Sequence, residues 1–171
     1  MQIELLADRP EFIPTLAEWH FSEWAYLRPG DSVANRVRLL HERSGRCELP
    51  ITFVASDGSE LVGSAMLIHH EMDTRPDYTP WLAGVFVAPA HRRRGIGRAL
   101  AEHVIGEAAR HDFPTVYLFT PSAEDFFFSS RLEYRRAHAL QRCPCHYYVV
   151  HPSHLTKRWS EPLTGAQIYF R

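Results

Sequence analysis

Arg92, Gly95 and Gly97 stand in an R-x-x-G-x-G spacing that runs straight out of the apolar, β-forming stretch Val85-Phe86-Val87-Ala88-Pro89. Arg93 and Arg94 add charge before the glycines, Ile96 lies between them, and Arg98 follows as an amphipathic helix begins. A strand, a Gly-rich turn and a helix start, in that order, make an anion cradle. Gly95 and Gly97 carry no Cβ, so the backbone bends sharply and a ligand can come close. The first amides of a helix lack internal partners and sit at the positive end of its dipole. A phosphate group is the natural occupant. Two common phosphate loops are excluded. No Lys-Ser or Lys-Thr follows a G-x-x-x-x-G, and a dinucleotide loop needs a small residue where Leu100 stands.

The elements that must position this loop follow from periodicity and turn residues. Gln2 to Leu6 alternates as a first strand, broken by Asp8-Arg9-Pro10. Phe12, Ile13, Leu16, Ala17 and Trp19 recur at helical spacing from Glu11 to about Leu27, with Pro14 tolerable only in a first turn. Asp31 or Ser32 can cap a second helix that Gly45 closes. Ile51–Ala55 and Leu61–Ile68 form a hairpin around Asp57-Gly58. Trp81–Val87 is the strand before the loop, and a helix runs from Ile96 to about His111. Val116–Phe119 is a buried strand, Ser122 caps a short helix ending near Arg131, and Tyr134–Gln141 with His146–Val150 make a last hairpin. The order is β-α-α-β-β-β-α-β-α-β-β, a mixed sheet with helices on both faces.

The 171 residues, 45% of them hydrophobic, suit one domain with a real core. A net charge of −1 offers nothing to nucleic acid or to an anionic membrane. No apolar stretch reaches transmembrane length, and Met1-Gln2-Ile3-Glu4-Leu5-Leu6 lacks the pattern of a signal peptide, so a cytoplasmic location is expected. Cys47, Cys143 and Cys145 are too few for a disulfide framework. Cys143-Pro144-Cys145-His146 is too tight for one tetrahedral zinc and has no second Cys pair, so no metal is expected.

The loop, preceded by V-x-V-x-P, resembles the coenzyme A loop of the GNAT N-acetyltransferases, with Arg92, Gly95 and Gly97 on its constant positions. The element order matches that family over residues 1–152, leaving 153–171 as a tail packed on the domain or on a partner subunit. The resemblance implies a mixed α/β fold with a central, mostly antiparallel sheet splayed at two strands, here around Val85–Val87 and Val116–Phe119. The thioester arm of acetyl-CoA would slot into that gap. The backbone of Val85, Phe86 and Val87 would pair with the pantetheine, and the amides from Arg93 to Arg98 would hold the pyrophosphate. Arg92 would shape the loop. An amide of the strand would polarise the acetyl carbonyl.

Acetyl transfer to an amine requires a base for the amine's proton and a proton for the leaving thiolate. In much of the family a Tyr supplies the latter, within F-Y-x-x-L-G-F/W. This chain reads Phe126-Phe127-Phe128-Ser129-Ser130-Arg131-Leu132-Glu133-Tyr134. Aligned on its end, the Tyr position holds Ser129 and the Gly position Glu133; aligned on Thr120-Pro121, the Tyr position holds Phe127. Three routes stay open. Ser129 protonates the thiolate, directly or through water; Tyr134 or Tyr117 swings in; or the thiolate, with a pKa of roughly 8.5, needs no dedicated acid. The third demands least.

Candidates for the base lie in His69-His70-Glu71-Met72-Asp73, at the strand edge that faces the acceptor in this family. His70 is a candidate because histidine as a residue type suits proton transfer near neutral pH, and Glu71 or Asp73 could act through water. Glu23 and Trp24, in or just after the first helix, which in that family roofs the acceptor site, could hold an amine by charge and cation–π contact. Trp81, just before the cofactor strand, is a further candidate. The expected activity is acetyl transfer from acetyl-CoA to a small-molecule amine or an exposed amino group, by direct attack in a ternary complex. The missing Tyr and Gly leave open a catalytically weak or inactive coenzyme A- or acyl-CoA-binding protein. Many proteins of this fold pair through their last strands, so a homodimer is also compatible.

Overall fold

A computed structural model describes residues 1–72, 75–120, 134–136 and 146–150, as backbone alone at 119–120 and in the last two segments. The chain divides into two compact units, Met1–Met66 with Gly84–Leu100, and Leu67–Ala83 with Ala101–Arg171.

In the first unit, β1 (Gln2–Leu5) pairs antiparallel with β2 (Ile51–Asp57), Ile3 opposite Ala55 and Leu5 opposite Phe53. A tight turn with Gly58 at φ +63° leads from β2 to β3 (Glu60–Ile68). The unit holds β3 up to Met66 and the part of β4 (Trp81–Val87) from Gly84 on, and its strand order is β1-β2-β3-β4. The predicted helix over 11–27 is an α-helix, α1 (Ile13–Trp24), flanked by 3-10 turns at Pro10–Phe12 and Ala25–Leu27. Pro14 sits in its first turn, where its missing N–H costs nothing. Ser32, rather than Asp31, caps α2 (Val33–Glu42): its Oγ accepts the Asn35 amide at 3.1 Å. Asp31 instead accepts the Ser32 amide at 2.8 Å and the Arg36 guanidinium at 2.6 Å. α2 closes before Gly45, with Ser44 Oγ donating to the Leu40 carbonyl and the Gly45 amide to that of Pro50. α1 packs on α2, burying Leu16, Ala17 and Leu40.

In the second unit, β5 (Val116–Thr120) runs parallel to β4, with Trp81 opposite Tyr117 and Leu82 opposite Leu118. β7 (His146–Val150) is antiparallel to β5, and β6 (Tyr134–Arg136) is antiparallel to β7, giving the order β4-β5-β7-β6. One parallel pair among antiparallel ones makes the sheet mixed. Of α3 (Ile96–Arg110), this unit holds Ala101 onward, and Ala101, Val104, Ile105 and Ala108 are fully buried at the expected helical spacing. The predicted helix after Ser122, Phe126 to Ser129, the Cys143-Pro144-Cys145 segment, Asp73 and the tail from 153 lie outside the described residues. Among the described residues no helix is long and apolar enough to cross a membrane.

Candidate active site

The loop after β4 belongs wholly to the first unit. The Ala88 amide donates to the Val62 carbonyl at 2.9 Å, anchoring the end of β4 on β3. A single 3-10 turn, Pro89–His91, leads to an extended Arg92. Arg93 (φ +61°) and Gly95 (φ +80°) then turn the chain through left-handed conformations, and the Ala99 amide makes its helical bond to the Gly95 carbonyl at 3.0 Å. A Cβ placed on Gly95 would meet nothing within 4 Å, so the flank of the loop is open. Arg93, Arg94, Gly95 and Arg98 are exposed, while Ile96 and Gly97 are buried. An open Gly turn at a helix's positive end, rimmed by exposed cations, fits a phosphate-bearing group.

Arg92 turns back from the cradle. Its Nε donates to the Val87 carbonyl at 3.0 Å, its guanidinium lies 5.8 Å from the Phe86 ring centroid, and its Nη2 is 3.7 Å from Glu23 Oε2. It therefore ties the end of β4 to α1. Phe86 is also where the aromatic residues of α1 converge, with ring centroids at 5.3 Å for Trp19 and 6.2 Å for Trp24. Glu23, Trp24, Phe86 and Arg92 thus form one neighbourhood, with Glu23 on its exposed rim.

Three residues at this place escaped the sequence reading. Gly84, in the middle of β4, has φ +57°. Ser64 Oγ on β3 donates to its carbonyl at 3.0 Å, and His20 Nε2 on α1 lies 3.0 Å from the same Oγ. His20 and Ser64 are 2% and 0% exposed. Burial, aided by the charges of Arg36 and Arg43, pushes the His20 pKa down to about 3, so the imidazole is neutral at ordinary pH. The available signal was a polar or small residue in each of three apolar runs: His20 on the Leu16-Ala17 face of α1, Ser64 within Leu61–Ile68, and Gly84 within Trp81–Val87.

The second unit places the remaining candidates. Trp81, expected as an acceptor wall, is 0% exposed and is a core residue; its Nε1–H donates to the Tyr78 carbonyl at 2.6 Å. Its ring packs 5.6 Å from that of Tyr117, which stacks on Tyr78 at 4.5 Å and 7°. A side chain with its only polar atom satisfied in the core offers no face to a ligand. His69 and His70 are exposed, with rings 6.1 Å apart, and Glu71 is half-buried with Oε2 shielded from solvent. Among the described residues no cluster of metal-ligating side chains occurs.

Residues 13–127 match the acetyltransferase (GNAT) family. The chain belongs to that family. No curated protein matches this GNAT chain by sequence. Solved structures do match it in fold. An aminoglycoside 6'-N-acetyltransferase complexed with coenzyme A is 18% identical, with a TM-score of 0.70 over 94% of this chain and 100% of that one. The Salmonella typhimurium protein yncA, solved with its cofactor acetyl-CoA, is 17% identical, with a TM-score of 0.66 over 96% and 99%. An acetyltransferase from Streptococcus agalactiae is 18% identical, with a TM-score of 0.63 over 88% and 97%. At these identities the likeness is one of fold.

Proposed function

We propose that this chain transfers an acetyl group from acetyl-CoA to an amine, on a small molecule or as an exposed amino group. The observation that carries the proposal is the loop from Arg93 to Gly95, turned through positive φ and opening on the start of α3. Membership of the GNAT family, and a fold shared with proteins that hold coenzyme A or acetyl-CoA, point the same way.

When bound, acetyl-CoA supplies an activated thioester carbonyl. The backbone amides from Arg93 to Arg98 would hold its pyrophosphate, and the backbone of Val85, Phe86 and Val87 would run beside its pantetheine arm. Glu23 would attract a cationic acceptor at the rim, and the partly exposed Trp24 would offer an aromatic face to it. Either His70 or Glu71 would take the amine's proton, His70 directly from its exposed position and Glu71 through water. Ser129, or no dedicated group, would serve the thiolate, whose own pKa of roughly 8.5 makes an acid dispensable.

Titration with acetyl-CoA and turnover on a panel of amines tests the reading. Tight binding with acetylation of an amine is expected. Tight binding without turnover on any amine would favour the non-catalytic coenzyme A-binding protein. Equally tight binding of nucleotides that lack the pantetheine arm would overturn both.

A further inference from the structure

We propose that His20 and Ser64 are positioning residues for the cofactor strand, holding the bend at Gly84 that aims the backbone of Val85–Val87. The inference rests on the function proposed above and adds to it a device that acts from outside the cradle.

The bend itself creates a need. A residue at φ +57° inside a strand departs from extended geometry, and a half-buried carbonyl turned from the ladder is better off with a partner. Ser64 Oγ meets that need at 3.0 Å. A serine hydroxyl has one proton, and here it goes to the Gly84 carbonyl. The oxygen must then accept from His20, 3.0 Å away, so the His20 ring carries its proton on Nε2. The chain of bonds runs one way: His20 Nε2–H to Ser64 Oγ, and Ser64 O–H to the Gly84 carbonyl. A hydroxyl that accepts a hydrogen bond donates a stronger one.

The surroundings leave this chain little room to shift. The His20 ring meets Trp24 edge-on at 4.9 Å and Phe86 at 6.4 Å. A Cβ on Gly84 would come within 3.0 Å of Met66 Cε, and one on Gly63 within 2.7 Å of the Phe86 carbonyl. β3 and β4 are therefore close-packed on both sides of Ser64, which sits where its hydroxyl reaches the one bent peptide. α1, through His20, would thereby set the strand proposed to face the thioester, acting from a buried position behind it.

The test compares two buried hydroxyls of the same unit. Thr52 on β2 is 0% exposed, like Ser64, and donates to the Arg43 carbonyl at 2.8 Å, with no hydrogen bond to β4 or to His20. Ser64→Ala and Thr52→Val should lower Tm by similar amounts, since each removes one buried hydrogen bond. Only Ser64→Ala should weaken coenzyme A binding, by roughly tenfold in calorimetry, and lower kcat without raising KM for the amine. Its affinity for adenosine 3',5'-bisphosphate, which lacks the pantetheine arm, should stay within about twofold, because the loop is unchanged. His20→Gln, whose amide N–H can still donate to Ser64, should retain affinity, and His20→Leu should behave as Ser64→Ala. Nitrogen NMR of the wild-type His20 ring should show the proton on Nε2. Equal effects of Ser64→Ala and Thr52→Val, an equal loss of the bisphosphate, or a proton on Nδ1 would each overturn the positioning role while leaving the cradle standing. Failure of the wild-type chain to bind coenzyme A at all would instead overturn the proposed function, and this role with it.

Discussion

The starts of α2 and α3 look alike in the sequence and are built in opposite ways. Each helix is preceded by a glycine at positive φ whose missing Cβ faces open space, Gly30 at +84° and Gly95 at +80°. At α2 two intervening residues supply a cap and a carboxylate to the helix's positive end. Ser32 Oγ takes the Asn35 amide, and the Asp31 carboxylate receives both the Ser32 amide and Arg36. At α3 the glycine directly precedes the helix, so no side chain can cap it, and no acidic residue stands in the first turn. Arg93, Arg94 and Arg98 surround it instead. The difference is whether the protein supplies its own anion. A helix that carries its own cap and carboxylate offers less to an anion than one that meets a bare glycine amid cations.

The comparison breaks most readily at Gly97. Gly97→Trp would force an indole onto a buried position in the first turn of α3 and displace the amides there, so coenzyme A binding should fall by more than about 100-fold in calorimetry, since each tenfold is worth only ~1.4 kcal/mol. Retained binding would mean that the start of α3 is no more a site than that of α2.

The matched pair Gly95→Ala and Gly30→Ala sharpens it. Both alanines would sit at positive φ without a clash, so both should cost about 1–2 kcal/mol in chemical denaturation. Only Gly95→Ala should also weaken coenzyme A, by on the order of tenfold. Equal binding losses would point to general destabilisation.

Acid separates the two regions again, because β4 leans on an ionisable group. The folded-state pKa of His20 is depressed to about 3 from an ordinary 6.5, so the unfolded chain binds the extra proton first. Its contribution to stability should therefore be unchanged above pH 6.5 and fall as pH drops from there toward 3, by at most about 1.4 kcal/mol per pH unit. Denaturation curves of His20→Gln should lack that component; an identical pH slope in wild type and variant would refute the assignment.

The smallest effect belongs to the capped helix. Ser32→Ala should cost about 1 kcal/mol of stability and leave coenzyme A affinity unchanged. A change in affinity would show that the two helix starts are not independent.

Much of this fold was legible because its signals are local. The Asp57-Gly58 turn, the Ser32 cap, Pro14 in a first turn and the boundaries of β4 each depend on a few neighbouring residues, and each lies where expected. The loop from Arg92 to Arg98 was readable for the same reason. Less readable was the helix predicted over 11–27, since apolar periodicity does not separate an α-helix from the 3-10 turns that flank it. Trp81 was misread because an aromatic residue beside a site has the same sequence signature whether it lines a pocket or fills the core. The Tyr78 carbonyl and the Tyr117 ring decide between them, and the second of these comes from another strand.

By itself the sequence determined the elements from β1 to β5 and the glycine turn before α3, because backbone propensity, capping and glycine freedom act within a turn or two of chain. Only the tertiary structure decided what stands behind the cradle. His20 and Ser64 are 44 residues apart, and Ser64 and Gly84 are 20 apart. Nothing in the spacing of a histidine, a serine and a glycine says that they will meet. They meet because β3 lies beside β4 and α1 brings His20 onto Ser64. Once they are buried together, the need to satisfy each polar atom assigns every proton in the chain of bonds.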